Sequence, residues 1–149
     1  MLITFSGIDG SGKSTQIEKI QAHFQSHRKK YKVIWSRGGY TPLFNAIKSL
    51  VRFVFPSVIP PPGETKTREK MLGRKWVSTL WLNIAMLDMI VLYAFYFRIL
   101  RIAGYHVIGD RYLWDTYIDF MLNYPDLDIG KQFVWKLLVF THPKPQVSV

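Results

Sequence analysis

Gly7, Gly12, Lys13 and Ser14 follow the spacing Gly, four residues, Gly-Lys-Ser, directly behind the apolar run Leu2 to Phe5. That pattern describes a loop that cradles phosphate. Glycines let a backbone curl until successive N–H groups point inward at an anion. Within Gly7-Ile8-Asp9-Gly10-Ser11-Gly12-Lys13-Ser14-Thr15, the lysine can reach the outer phosphates of a nucleotide and the Ser14 hydroxyl can ligate Mg²⁺. A helix starting at Ser14 adds its positive dipole end. The alternative is a Gly-rich strand-to-helix turn that binds nothing. A β-branched and aromatic run before the loop and a polar helical pattern after it favour the phosphate reading.

Gly109-Asp110-Arg111-Tyr112 forms a second cluster, at the end of another predicted strand. An acid at a strand end beside a phosphate loop can hold Mg²⁺ directly or through water. An arginine there can clamp a phosphate with its planar fork. Phosphoryl transfer is mostly positioning and charge neutralisation, so these are the groups it requires. An Asp–Arg pair that only finishes a strand is the bland alternative, and the phosphate loop tips the balance toward function.

These groups need elements to hold them. Strand one is predicted from Leu2 to Ser6, and a helix from Ser14 to Lys29 with Ile17, Ile20 and Phe24 at helical spacing. Lys32 to Ser36 reads as strand two, with Val33, Ile34 and Trp35 suited to a parallel sheet. A loop over 37–42 leads to a helix from Leu43 to Phe55, and Pro56 to Glu64 is an extended loop. A long helix is expected from Thr67 to Ile102, ended by Gly104, before strand three from His106 to Gly109. A short helix covers Thr116 to Asn123. Asp128 is placed to cap a helix from Ile129 to Phe140, and Gln146 to Val149 begins a fourth strand. Alternating strands and helices argue for a parallel sheet with its ligand at the carboxyl ends of the strands. Loop 7–14, loop 37–42 and the segment from Asp110 all lie at such ends.

The 149 residues read as one domain, 1–149, with no internal repeat. Hydrophobic residues make up 48% and aromatics 15%, which excludes a disordered chain. Without cysteine there is no disulfide and no thiolate metal site. The strand starting at Leu2 leaves no room for a signal peptide, so a cytoplasmic location is expected. Twenty Lys and Arg against ten Asp and Glu give a net charge of +10, which favours anionic partners. The denser basic run His27-Arg28-Lys29-Lys30-Tyr31-Lys32 suits a helix C-terminus better than a nucleic-acid surface, which wants interleaved aromatics over a wider patch. His23, His27, His106 and His142 lack metal-ligand spacing and read as structural or surface residues.

Taken together, the loop at Gly7 to Thr15 and Asp110-Arg111-Tyr112 resemble the thymidylate kinase family of P-loop nucleoside monophosphate kinases, in order and spacing over nearly the whole chain. Arg37-Gly38-Gly39-Tyr40-Thr41-Pro42 resembles that family's Arg-Glu-Pro-Gly-Gly-Thr-Pro loop, shortened between Arg37 and Thr41. The resemblance implies an α/β P-loop NTPase fold, a three-layer sandwich around a parallel sheet, with ATP as donor and dTMP as acceptor. It gives Gly7, Asp9, Gly10, Ser11, Gly12, Lys13, Ser14 and Thr15 to ATP, and Ser14 and Asp110 to Mg²⁺. Asp9, Arg37 and Arg111 would take the acceptor, and Lys13, Asp110 and Arg111 would carry the chemistry.

Departures from the family pattern accompany the matches. The family's base-contacting Phe and phosphate-contacting Arg on the helix before strand three fall near Ala85 and Met89. Its base-contacting Gln falls near Phe120, in a segment made differently polar by Asp115, Thr116 and Asp119. Gly10 stands where some members carry a catalytic Arg. Gln146 to Val149 resembles the fourth strand cut short, so the resemblance implies a chain truncated before the last strand and the arginine-bearing lid. An acceptor other than dTMP (a nucleoside, or a sugar or lipid phosphate) therefore stays open, as does a non-catalytic nucleotide-binding fragment.

Trp76 to Leu100 carries only Asp88 and Arg98 as charged residues. Such a helix is long enough to cross a membrane, but Asp88 would sit near the middle at a cost of a few kcal/mol. A helix buried between the sheet and a second copy of the chain is the favoured reading, and implies a homodimer through 76–100. Association with an acidic membrane surface is kept as an alternative. Asp88 is either a buried acid with a local partner or an acceptor-site residue.

Overall fold

Among the described residues, four parallel strands form one sheet in the order β2–β3–β1–β4, where β1 is Leu2–Phe5, β2 Tyr31–Trp35, β3 His106–Asp110 and β4 Val147–Ser148. The computed structural model describes residues 1–38, 41–54 and 75–149. Between β1 and β2 runs α1, Lys13–Ser26, and after β2 comes α2, Pro42–Val54. The long helix α3, Lys75–Ile102, leads to β3. Helix α4, Leu113–Asn123, a short 3₁₀ turn at Ile129–Lys131 and α5, Phe133–Thr141, then lead to β4.

A parallel sheet must be covered on both faces, and the side chains of β1 and β3 divide accordingly. Ile3, Phe5 and Ile108 pack with Ile17 and Phe24 of α1 on one face. Leu2 and Val107 face the other way, into a larger cluster with Leu82, Met86, Met89, Tyr93 and Phe97 of α3 and Leu138 of α5. The result is the expected three-layer α/β sandwich. Register sets a common level for the site: Phe5 and Trp35 both stand opposite Asp110, so β1, β2 and β3 end together.

The sequence-based boundaries shift at several places for local reasons. Helix α1 stops at Ser26, because Arg28 takes a left-handed backbone conformation (φ 51°). Helix α4 begins three residues earlier than expected, because Asp115 closes a capping box with Tyr112. The single helix expected from Ile129 is split at Gln132, whose ψ of 131° is extended. Asp128 does cap, accepting from the Lys131 N–H, but it caps the 3₁₀ turn. The expectations for Pro56 to Glu64 and for Thr67 to Arg74 lie outside the described residues.

Helix α3 is 28 residues long and apolar enough to span a bilayer by length and composition, yet half of its most apolar window is buried inside the protein. It also contains a six-residue π-helical stretch, Val91–Tyr96, which periodicity did not foretell. Asp88 sits on its buried side at 3% exposure. Its carboxylate accepts a very short hydrogen bond from the Thr41 hydroxyl, and that same Thr41 oxygen accepts the Phe44 N–H at 3.1 Å, capping α2. Of the two readings of Asp88, the buried acid with a local partner is the one seen.

Burial raises the Asp88 pKa above its ordinary 3.8, and the bonds from Thr41 and Phe44 only partly oppose this. A raised carboxyl pKa favours the neutral form in the folded state. The stability it contributes is full below about pH 4 and is lost as pH rises through the raised value. Urea midpoints of the unaltered protein should therefore fall relative to those of Asp88→Asn as pH rises above about 4. Parallel profiles would contradict the assignment.

Candidate active site

The loop after β1 has the geometry its glycines permit. Gly7, Gly10 and Gly12 have φ of 141°, 85° and 83°, conformations that a side chain would strain. Gly12 lies directly before α1, whose first turn closes with the Gln16 N–H on the Gly12 carbonyl. Helix N–H groups at Lys13, Ser14 and Thr15 consequently face outward at the loop's mouth. The Lys13 ammonium lies over the loop, donating to the carbonyls of Gly7 at 2.8 Å and Ile8 at 2.6 Å. Ser11 Oγ stands 3.5 Å from it.

Arg111 turns the chain out of β3 in a left-handed conformation, φ 67°, which costs a non-glycine residue roughly 1 kcal/mol or more. Its N–H donates to the Phe5 carbonyl at 2.9 Å and its own carbonyl accepts from Ser36 Oγ at 2.7 Å. The guanidinium reaches across to Asp9 in the phosphate loop, with Nη2 2.6 Å from Oδ1. Asp115 ties the same two segments through backbone. One of its oxygens accepts the Gly7 N–H at 3.2 Å, the other the Tyr112 N–H at 3.0 Å.

A cleft of about 350 Å³ opens between these parts, lined by Asp9, Gly10, Gly12, Lys13, Ser14, Trp35, Asp110 and Arg111. Glycine backbone, a lysine and an arginine supply donors for phosphate oxygens. Ser14 and Asp110 also line it, and both carry hard oxygen donors of the type that Mg²⁺ takes. Such a cleft can bind a polyphosphate and neutralise charge developing on it.

Arg37 takes a different direction. Asp119 of α4 holds it in a bidentate pair, Nε to Oδ2 at 2.9 Å and Nη2 to Oδ1 at 3.2 Å. Beside it, Phe120 packs closely against Gly38, where a Cβ would stand 2.4 Å from the ring. Ala85 and Met89 are buried in the α3 core.

Several site residues escaped the motif reading. Trp35 lines the cleft at the end of β2; its position two residues before Arg37 was the available signal. Asp115 was noted only as part of a polar segment, although an acid three residues after an N-cap is a capping-box spacing. Nothing in sequence pairs Ser36 or Asp119 with arginines 75 and 82 positions away.

The thymidylate kinase of Chlorobaculum parvum is 45% identical over 51 residues, which are 34% of this chain and 23% of that protein. That of Chlorobium chlorochromatii is 42% identical over 60 residues, 40% of this chain and 27% of that protein. The chain is similar to thymidylate kinases. Its matched stretches span about a quarter of the length of these curated relatives. No family model matches. A solved thymidylate kinase from Ehrlichia chaffeensis aligns over 99% of this chain and 72% of its own, at 22% identity and a TM-score of 0.45. Against the thymidylate kinase pattern, the departures at Ala85, Met89 and Phe120 are all buried packing positions here.

Asp115→Ala removes both backbone ties at once. The expected loss of stability is about 1–3 kcal/mol in chemical denaturation, with faster amide exchange at Gly7 and Tyr112. Unchanged exchange at Gly7 would show that the tie does not hold the loop.

Proposed function

We propose that this chain belongs to an enzyme that transfers the γ-phosphoryl group of ATP to a small phosphorylated acceptor, with dTMP as the acceptor it most resembles. The observation that carries the reading is the shared cleft, in which the phosphate loop, Asp110 and Arg111 line one cavity. Lys13 would leave the loop carbonyls for the β and γ phosphates. The N–H groups of the loop and of the first turn of α1 would hold the remaining oxygens. Ser14 and Asp110 would hold Mg²⁺, which supplies charge neutralisation between donor phosphates. Arg111, braced by Asp9, would orient the acceptor phosphate with its planar fork, and Arg37 would join it by exchanging Asp119 for phosphate oxygens.

The exposed row Leu87, Val91, Phe95, Ile99 and Ile102 on α3 supports a homodimer through that helix, since spacings of four and three residues put them on one face. A cytoplasmic location accords with this reading. The same apolar row and the +10 charge are what an acidic membrane surface would use in the alternative.

A second reading is favoured by one observation. Phe120 against Gly38 and the Arg37–Asp119 pair fill the space around the position where the resemblance puts a base-contacting Gln. A kinase of this fold with a different acceptor, such as a nucleoside, sugar phosphate or lipid phosphate, fits that filling. Turnover of Mg-ATP against a panel of these acceptors separates the two. The first reading expects dTMP to exceed all others by at least about tenfold in kcat/KM, a gap of roughly 1.4 kcal/mol. A different best acceptor would replace it. In either case Lys13→Ala should abolish Mg-ATP binding by calorimetry, and unchanged affinity would refute the loop assignment.

A further inference from the structure

Three hydroxyl-bearing residues are buried outright behind the Arg111 turn: Ser36, Tyr93 and Thr116 are each 0% exposed. Their hydrogen bonds have a direction. Ser36 Oγ donates to the Arg111 carbonyl at 2.7 Å. A serine hydroxyl has one hydrogen, so toward Tyr93 it must accept, and the Tyr93 hydroxyl donates to it at 3.1 Å. That commits the single phenolic hydrogen. Thr116 Oγ1, 3.5 Å from the phenol oxygen, stands on its accepting side. The chain therefore runs from Thr116 through Tyr93 and Ser36 and ends on a carbonyl of the one site residue among the described residues, glycines aside, held in a left-handed conformation.

Packing alone does not require this arrangement. Phenylalanine and alanine would fill the same space without hydroxyls that burial makes costly unless each is bonded. Tyr93 lies in the π-helical stretch Val91–Tyr96, closed by the Phe97 N–H on the Leu92 carbonyl, and such stretches concentrate at functional sites. Its ring also lies 4.8 Å from that of Tyr112, the residue after Arg111. Helix α3 thus meets the turn twice through Tyr93, by its hydroxyl and by its ring.

We propose that Tyr93, acting through Ser36, is a positioning residue for Arg111: the hydroxyl chain holds the left-handed turn and so fixes where the guanidinium enters the cleft. The inference rests on the reading of Arg111 as the acceptor-phosphate group. Burial pushes the Tyr93 phenol up to about 12, so it stays a neutral donor throughout the neutral range.

Tyr93→Phe deletes one oxygen and keeps the ring. The expected result is a KM for dTMP raised about threefold to tenfold, the worth of one hydrogen bond, with the KM for Mg-ATP held within about twofold. The Arg111 Nε–H resonance, assigned by its loss in Arg111→Lys, should shift or broaden in Tyr93→Phe whether or not dTMP is turned over. Ser36→Ala should reproduce both effects, and the double variant should be no worse than Ser36→Ala alone. An unmoved Arg111 resonance, additive effects, or equal losses for both substrates would overturn the positioning role. Absent dTMP turnover in the unaltered protein, with the resonance still moving, would sink the dTMP assignment and leave the relay standing.

Discussion

The hydrogen bond from the Arg111 amide to the Phe5 carbonyl extends the β1–β3 ladder one step beyond the strand ends. Everything at the site is placed relative to that step. The phosphate loop leaves β1 and the Asp110-Arg111-Tyr112 turn leaves β3 from a common baseline, so their side chains reach the same cleft although about a hundred residues separate them. The Asp9–Arg111 ion pair and the Asp115 ties then close the gap between the two segments. Parallel pairing makes this placement robust, because a one-residue slip would turn every strand side chain to the wrong face of the sheet.

Much of this arrangement was legible in the residues. Gly7 to Ser14 announces its conformation, since glycines at those positions meet a backbone that strains other residues. Strand and helix order followed from periodicity, and with it the side of the sheet on which a ligand belongs. The long helix also read from the sequence as a helix despite its membrane-like composition; half of its most apolar window is buried, with Asp88 bonded to Thr41 within the fold. Its π-helical stretch was not legible, because nothing in the apolar run Val91 to Tyr96 distinguishes five-residue from four-residue closure.

What was hidden depends on long-range pairing. The arginines singled out at the site, Arg37 and Arg111, are both engaged by carboxylates here, Asp119 and Asp9. Lys13 is engaged by carbonyls of its own loop. Under the proposed function, anion binding here would exchange internal partners for phosphate oxygens, with a strength set by the difference between the two sets. The partly exposed Asp9–Arg111 pair gives way more readily than the more enclosed Arg37–Asp119 pair. Phe120 against Gly38 adds to the closure around the Arg37–Asp119 pair.

The central claim is that one cleft at the carboxyl edge of the sheet binds a nucleoside triphosphate through the loop and communicates with the Arg111 turn. Titrating Mg-ATP into the ¹⁵N-labelled protein and following backbone amide resonances tests this residue by residue. Saturable shifts concentrated at residues 10–15 and at Arg111 and Tyr112 are the predicted result. Shifts confined to the basic segment 27–32, or none at all, would contradict it.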